Sequence, residues 1–171
     1  MFHFFWESDS PFSQWYMSNF EVDSKQYNCA EQWMMAQKAV LFCDESAYHK
    51  IMQAKTPREQ KQCGRNVQDF SKTQWDKIAR YLVYFGNQAK FTQNPDILKV
   101  LLETEGELVE ASPYDKIWGI GLKEDDPRAL RKEQWLGTNW LGEVLTSLRD
   151  NLKKDIIFDT MEDLSKAVRY E

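Results

Sequence analysis

Apolar residues recur at helical spacing along most of the chain. Their steps of three and four positions, with proline or capping residues at several starts, predict helices over 29–43, 45–54, 57–64, 73–90, 95–104 and 139–153. The mixed tail over 154–171 is expected to add one helix. The pattern therefore predicts a mostly helical protein.

Short segments between these helices predict a small amount of β-structure. Residues 2–6 and 16–27 are predicted strands, and a turn at 8–11 separates them. Residues 108–111 and 117–121 are two further predicted strands, joined by a turn, and the polar stretch 125–135 is a predicted loop. Strands and helices do not alternate regularly, and no glycine-rich phosphate loop is present. The predicted fold class is α+β, predominantly α-helical, with a small β-sheet.

The length of 171 residues allows one domain with a substantial core, predicted over 1–153, followed by a C-terminal extension over 154–171. The net charge of −5 argues against a general nucleic-acid binder, which would carry a basic excess. No run of 18 apolar residues predicts a membrane span, and the first residues lack the basic start of a signal peptide. A cytoplasmic protein without membrane partners is expected.

Three cysteines, at positions 29, 43 and 63, show no metal-site spacing, and the only histidines are His3 and His49. A zinc site is therefore not expected, and no metal or redox cofactor is predicted. Free thiols favour a reducing compartment.

The predicted helix over 29–43 is apolar nearly all round, yet it carries Glu31 and Lys38 on one face. Buried charges are costly unless they are paired, hydrogen-bonded or used. The two residues are seven positions apart, roughly 10 Å along the axis, too far for an i,i+4 ion pair. A small polar molecule would fit between them, over Met35. Two alternatives stay open: a capping box between Asn28 and Glu31, and a Lys38 side chain that extends to water.

Asp115 follows a turn and precedes Gly119 and Gly121, which would let a ligand approach the backbone. An ordinary turn aspartate is the alternative, and the nearby Glu110 is interpreted as structural. Trp75 lies on the apolar stripe of its helix, where core packing is the leading interpretation and stacking on a base the alternative.

Lys61, Arg65 and Lys90 are candidate phosphate ligands. Between positions 38 and 90 the chain has ten Lys or Arg against five Asp or Glu, whereas between 103 and 126 it has eight acids against two bases. This asymmetry suits a site that binds a phosphate and performs acid chemistry, or it reflects solvated helix faces.

Several segments, in order, resemble the YbiA-like or NADAR family of N-glycosidases. They are 11–16, 30–39, 64–65, the segment around Trp75, 89–95, 108–121 and 137–142. The resemblance spans roughly residues 3 to 152 and leaves the C-terminal tail outside.

The resemblance implies cleavage of an N-glycosidic bond to ribose. Family members hydrolyse phosphorylated ribosylaminopyrimidine intermediates of riboflavin biosynthesis, and others remove ADP-ribose from guanine bases in nucleic acid. The family's glutamate, tryptophan and aspartate correspond to Glu31, Trp75 and Asp115, and its imine-forming lysine corresponds to Lys38. In the same matched segments we also predict substrate contacts for Trp118, Gly119 and Asn139.

A small ribosylated or phosphorylated molecule is therefore the expected substrate, and nucleic acid is a partner only in the ADP-ribose alternative. A non-catalytic module that binds nucleotides or ADP-ribose is a further alternative. In the enzymatic hypothesis, Glu31 is the general acid/base and Lys38 is the nucleophile or a sugar-orienting cation. Asp115 binds ribose hydroxyls or shares the proton transfer, and Trp75 stacks on the base or shapes the pocket.

Overall fold

The computed structural model describes all 171 residues, Met1–Glu171. Seven α-helices and two small two-stranded sheets confirm the predicted α+β, mainly helical class. The helices are α1 (Ala30–Leu41), α2 (Glu45–Gln53), α3 (Pro57–Arg65), α4 (Lys72–Thr92), α5 (Pro95–Glu103), α6 (Trp140–Leu152) and α7 (Met161–Ala167). Each predicted helix is therefore confirmed within two residues at either end, and α7 is the helix expected in the tail.

The chain forms two compact units. The first comprises Met1–Ser13 with Pro95–Ile157, and the second comprises Gln14–Asn94 with Phe158–Glu171. No helix in either unit reaches both the length and the hydropathy that a membrane span requires.

In the first unit, strand β1 (Phe2–Phe5) pairs in parallel with β4 (Glu107–Glu110). A cluster of apolar side chains covers one face of this pair, formed by Val109, Ile120, Leu122 and Ala129 with Phe2, Phe4 and Trp135 packed against it. Burial of these side chains is the main stabilising contribution of this face.

Two predictions in the first unit are wrong. Residues 117–121 form successive bends rather than a strand, although the Ile120 amide donates one hydrogen bond to the Glu110 carbonyl at 2.9 Å. The stretch 125–135 is not a plain loop, because it contains 3₁₀ helices at Pro127–Leu130 and Lys132–Gln134. Asp126 starts the first of them, since its side chain accepts from the Arg128 amide.

In the second unit, the predicted strand over 16–27 is instead a hairpin of β2 (Phe20–Val22) and β3 (Lys25–Tyr27). The chain reverses at Asp23 and Ser24, whose φ angles of 50° and 62° are both positive. Two consecutive positive φ angles are the geometry of a two-residue type I′ turn, which aspartate tolerates better than most residues.

Helix α1 packs against α2, α3 and α4 in the second unit. The indole of Trp33 lies against Gly86 of α4 and donates a hydrogen bond to the Leu82 carbonyl at 2.7 Å. On another side, Met35 lies against Gly64 of α3. Glycine at positions 64 and 86 therefore allows the helices to approach α1 closely, and this approach buries the face that carries Glu31.

Replacing Gly86 with alanine should destabilise the protein. The added Cβ would overlap the rigid indole of Trp33, so α1 or α4 must shift, at a cost of about 1–3 kcal/mol. The matched control is Gly64→Ala, where the new Cβ meets the flexible thioether of Met35. Both changes raise helix propensity equally, so their difference in urea unfolding reports packing. A Gly86→Ala protein that is at least as stable as Gly64→Ala would contradict this packing.

The C-terminal tail is attached to α4 within the second unit. The Gln88 side chain donates to the Phe158 carbonyl at 2.8 Å and accepts from the Phe158 amide at 3.0 Å. Helix α7 also packs on α4. This segment is thus part of the second unit's core, while the boundary at 153 between domain and extension stays a prediction.

Candidate functional site

The cap residue of α1 differs from the one that the sequence predicts. Cys29 occupies the cap position without a side-chain cap, and the Asn28 amide donates to the Gln32 side chain at 2.8 Å. The Glu31 amide donates to the Gln14 carbonyl at 2.9 Å. The interpretation of Asn28 as the cap of a capping box with Glu31 is therefore wrong, because Cys29 is the cap residue. The Glu31 side chain is nevertheless only 3% exposed.

The Lys38 amine lies half-buried two turns along the same helix, with its Nζ 4.3 Å from the centroid of the Phe70 ring. Burial lowers the pKa of Lys38, the negative charge of Glu31 opposes that shift, and the positive charge of Arg65 adds to it. Lys38 is therefore electrostatically coupled to both residues. The lowered pKa increases the fraction of neutral, nucleophilic amine at a given pH.

The space expected over Met35 is filled. Met35 is buried, and α3 covers it at Gly64. The interpretation of a ligand directly over Met35 is therefore wrong, and a ligand that contacts both Glu31 and Lys38 must lie beside this methionine.

The three candidate phosphate ligands have different surroundings. Lys61 lies one turn before Arg65 on α3, and its Nζ is 5.7 Å from the Trp15 ring centroid. Arg65 is exposed at the end of that helix. Lys90 is 0% exposed, its Nζ lies 5.5 Å from the Tyr16 ring, and burial lowers its pKa to about 7. Lys90 is therefore the least accessible of the three to a phosphate that arrives from solvent, and the phosphate contacts of all three residues stay predictions.

Trp75 is buried in the first turns of α4. This position agrees with the core-packing interpretation. Its stacking role stays a prediction.

Asp115 lies in the first unit and organises its own turn. Its Oδ1 accepts hydrogen bonds from the Ile117 and Trp118 amides, both at 2.8 Å. This arrangement is an Asx turn, so the ordinary-turn interpretation describes its local structure. The role of Asp115 in ribose binding or proton transfer stays a prediction from the resemblance.

Backbone packing accounts for Gly119, and backbone conformation accounts for Gly121. A Cβ at Gly119 would lie 2.9 Å from the Glu110 carbonyl oxygen and 3.1 Å from that of Asp115. Gly121 has a φ of +69°, a conformation that favours glycine. The contact of Gly119 with a substrate stays a prediction.

The Asn139 side chain is buried and fully engaged with the backbone. Its Nδ2 donates to the Leu108 carbonyl, and its Oδ1 accepts from the Glu110 amide, each at 3.0 Å. Asn139 has a φ of 55°, which asparagine tolerates better than most residues. Asn139 thus ties β4 to the start of α6, and its substrate contact stays a prediction. Trp118 packs at 84° against Trp140 with centroids 5.6 Å apart, and its substrate contact stays a prediction.

The second unit contains Glu31, Lys38, Lys61, Arg65, Trp75 and Lys90, and the first unit contains Asp115, Trp118, Gly119 and Asn139. Sequence reasoning missed three residues that contact the Glu31–Lys38 helix or its neighbours. They are Gln14, Phe70 and Asn87. Of these three, only Gln14 could have been found from the sequence, because it lies within 11–16, one of the segments that resemble the family.

Residues 4–153 match the family model described as the NADAR domain. The chain belongs to the NADAR domain family. The family model covers α1 to α6 and ends before α7.

Relatives of this NADAR domain include proteins with functional names. It is 45% identical over 145 residues to N-glycosidase R617 of Acanthamoeba polyphaga mimivirus, covering 81% of this chain and 85% of that protein. It is 32% identical over 108 residues to the chloroplastic riboflavin biosynthesis protein PYRR of Zea mays, covering 60% of this chain and 16% of that protein.

The fold of the NADAR domain also occurs in a solved structure. The NMR structure of the E. coli protein YbiA superposes with a TM-score of 0.73 at 25% identity, covering 90% of this chain and 86% of YbiA. The predicted YbiA-like fold is therefore confirmed.

Proposed function

We propose that this NADAR domain is an N-glycosidase that hydrolyses the C–N bond between a ribose phosphate and a base or amine. Ribosylaminopyrimidine phosphates of riboflavin biosynthesis are the proposed substrates. The names of two relatives support this proposal, one an N-glycosidase and one a riboflavin biosynthesis protein.

The observation that carries the proposal is the pair Glu31 and Lys38 on α1. The Glu31 side chain is buried although it carries a carboxyl group, and the Lys38 amine has a pKa lowered by burial. A carboxyl group and an amine of this kind supply the proton transfer and the nucleophile that cleavage of a glycosidic C–N bond requires.

Two routes use these groups. In direct hydrolysis, Glu31 protonates the leaving nitrogen as its bond to C1 breaks, and water bonds to C1 and returns a proton to the carboxylate, while Lys38 orients the sugar. In the imine route, the neutral Lys38 amine bonds to C1 and the base leaves with a proton from Glu31. The bond between C1 and the ring oxygen then breaks as a proton passes from the lysine nitrogen to that oxygen, which leaves a protonated imine. Water adds to C1 and returns a proton to Glu31, and the bond between C1 and the lysine nitrogen breaks, which releases the sugar and restores the amine.

The basic stretch between positions 38 and 90 favours a second candidate substrate, an ADP-ribosylated guanine in nucleic acid. The chemistry at C1 is the same, and only the groups on either side of the ribose differ. Arg65 and Lys61 on α3 would bind a phosphate in both cases.

A direct test is to incubate the protein with a ribosylaminopyrimidine 5′-phosphate and, separately, with ADP-ribosylated guanosine. We expect stoichiometric release of ribose 5-phosphate and the free aminopyrimidine from the first. Release of ADP-ribose from the second alone would transfer the proposal to that substrate. Calorimetric binding without product from either would indicate a non-catalytic binding module and contradict the proposal.

Borohydride separates the two routes. A covalent adduct on Lys38 during turnover, located by mass spectrometry of peptides, is expected for the imine route. Turnover without an adduct would assign direct hydrolysis.

A further inference from the structure

Gln14 and Asn87 form a buried amide pair beside the start of α1. They are 7% and 1% exposed, and Asn87 Nδ2 donates to Gln14 Oε1 at 2.8 Å. The Gln14 backbone carbonyl also accepts from the Glu31 amide at 2.9 Å, so the pair adjoins the proposed acid. Two of its atoms, Gln14 Nε2 and Asn87 Oδ1, are buried without any hydrogen-bond partner.

A neighbouring carbonyl fixes the orientation of both amides. Asn87 Nδ2 also donates to the Val83 carbonyl oxygen at 2.8 Å, and a rotated amide would place two oxygens in contact there. Asn87 Nδ2 therefore faces both the Val83 carbonyl and Gln14. Because Nδ2 is a donor, the Gln14 atom that it contacts must be the acceptor Oε1. The two atoms left over are consequently one donor, Gln14 Nε2, and one acceptor, Asn87 Oδ1.

Leaving such groups unpaired is costly. Each buried donor or acceptor without a partner costs about 1–3 kcal/mol, and native structures retain few of them. Other buried amides of this unit are satisfied, as Gln88 shows by pairing twice with Phe158. The open donor of Gln14 and the open acceptor of Asn87 therefore call for a polar partner.

We propose that Gln14 and Asn87 form a hydroxyl-binding site that serves the glycosidase reaction. A hydroxyl accepts from Gln14 Nε2 and donates to Asn87 Oδ1, so one group satisfies both atoms. A phosphate dianion or carboxylate has no proton for Asn87 Oδ1, and an ammonium group has no lone pair for Gln14 Nε2. The hydroxyl belongs to the ribose of the substrate or to a water molecule. This inference rests on the proposed function for its role, and on the buried amides for its chemistry.

The test combines variants with deoxy substrates. Gln14→Met and Asn87→Leu remove the open atoms at nearly constant volume, and Gln88→Met is the control that removes a buried amide from the same helix. Each protein is assayed with the ribosyl substrate and with its 2′-deoxy and 3′-deoxy analogues. Removing the bound hydroxyl should lower wild-type kcat/KM by about tenfold, the size of one or two lost hydrogen bonds.

If the bound hydroxyl belongs to the sugar, the effect of the variant and the effect of the deoxy substrate should not add. Gln14→Met and Asn87→Leu should lose about tenfold on the ribosyl substrate and lose nothing more on the analogue that lacks the bound hydroxyl. Gln88→Met should discriminate between ribosyl and deoxyribosyl substrates as the wild type does, even if it unfolds more easily. A role in stability alone would not produce this pattern.

A water occupant gives a different result. Both variants would then lose activity equally on all three substrates, and a high-resolution crystal structure of the free protein would show a water bridging Gln14 Nε2 and Asn87 Oδ1. Equal losses without that water, or no loss at all, would overturn the proposal.

A measurement of ligand binding tests the hydroxyl site even if the protein shows no turnover. If the wild type cleaves none of the substrates, the proposed function fails, and calorimetry with ribose 5-phosphate and 2-deoxyribose 5-phosphate tests the hydroxyl site by itself. Weaker binding of either sugar phosphate to both variants, or the bridging water, would support the site. The absence of both would overturn it.

Discussion

Replacing Lys38 with methionine should reduce kcat/KM by about 10³-fold without unfolding the protein. Methionine retains most of the apolar stem that lies against Phe70, but it has neither the nucleophile nor the charge. Glu31→Gln should lose about 10²- to 10⁴-fold, the usual contribution of a placed acid. Activity is measured with the ribosylaminopyrimidine substrate, and the fold by urea unfolding.

The matched control is Lys77→Met, which removes an exposed lysine from α4. It should retain wild-type activity. Lys38→Arg separates the two roles, because it restores the charge without a nucleophilic amine. Recovery in Lys38→Arg would favour the sugar-orienting cation, whereas a Lys38→Met protein with more than a tenth of wild-type activity would exclude both roles.

The direction in which kcat/KM changes with pH should distinguish the two routes, because the pKa of Lys38 is lowered. In the imine route the reactive form is the neutral amine, so kcat/KM should rise with pH and level off below the ordinary lysine value of about 10.4. In direct hydrolysis with a charged Lys38, the same titration should lower kcat/KM as pH rises.

The helices were predictable because their apolar stripes repeat every three to four residues, and this local signal survives in the structure. The hairpin at Phe20–Tyr27 was not predictable, because its turn, Asp23 and Ser24, contains no glycine and its strands have only three residues each. The packing at Gly119 and Gly121 could not be predicted for a tertiary reason: the groups that approach these glycines come from other segments of the chain.

Only those residues of the candidate site whose charge did not fit the apolar pattern of their helix could be predicted. Glu31 and Lys38 stood out as charges on an apolar helix. Asn87 did not, because its partners Gln14 and Val83 are known only after α4 has packed in the second unit. The function of Gln32 at the helix start was hidden in the same way, since Asn28 and Glu31 have the spacing of a capping box but the structure uses the next residue.

Replacing the buried Lys90 with methionine should remove part of the pH dependence of the protein's stability. Burial lowers the pKa of Lys90 to about 7, whereas an unfolded chain holds the same proton up to about 10.4. Between these values the unfolded state binds more protons at this group, so the contribution of Lys90 to the free energy of unfolding rises with pH. Below about pH 7 this group is protonated in both states, and its contribution no longer changes with pH.

The difference in unfolding free energy between the wild type and Lys90→Met should therefore shift in favour of the wild type from pH 7 to pH 10, by several kcal/mol in order of magnitude. Urea unfolding at intervals across this range measures it. Burial raises the pKa of Cys29 to about 11, above the ordinary thiol value of about 8.5, so this thiol lowers the stability of both proteins as the pH rises through this interval and cancels in their difference. Lys77→Met is the control that removes an exposed lysine from the same helix. A constant difference for Lys90→Met would show that Lys90 keeps its ordinary pKa in the folded protein.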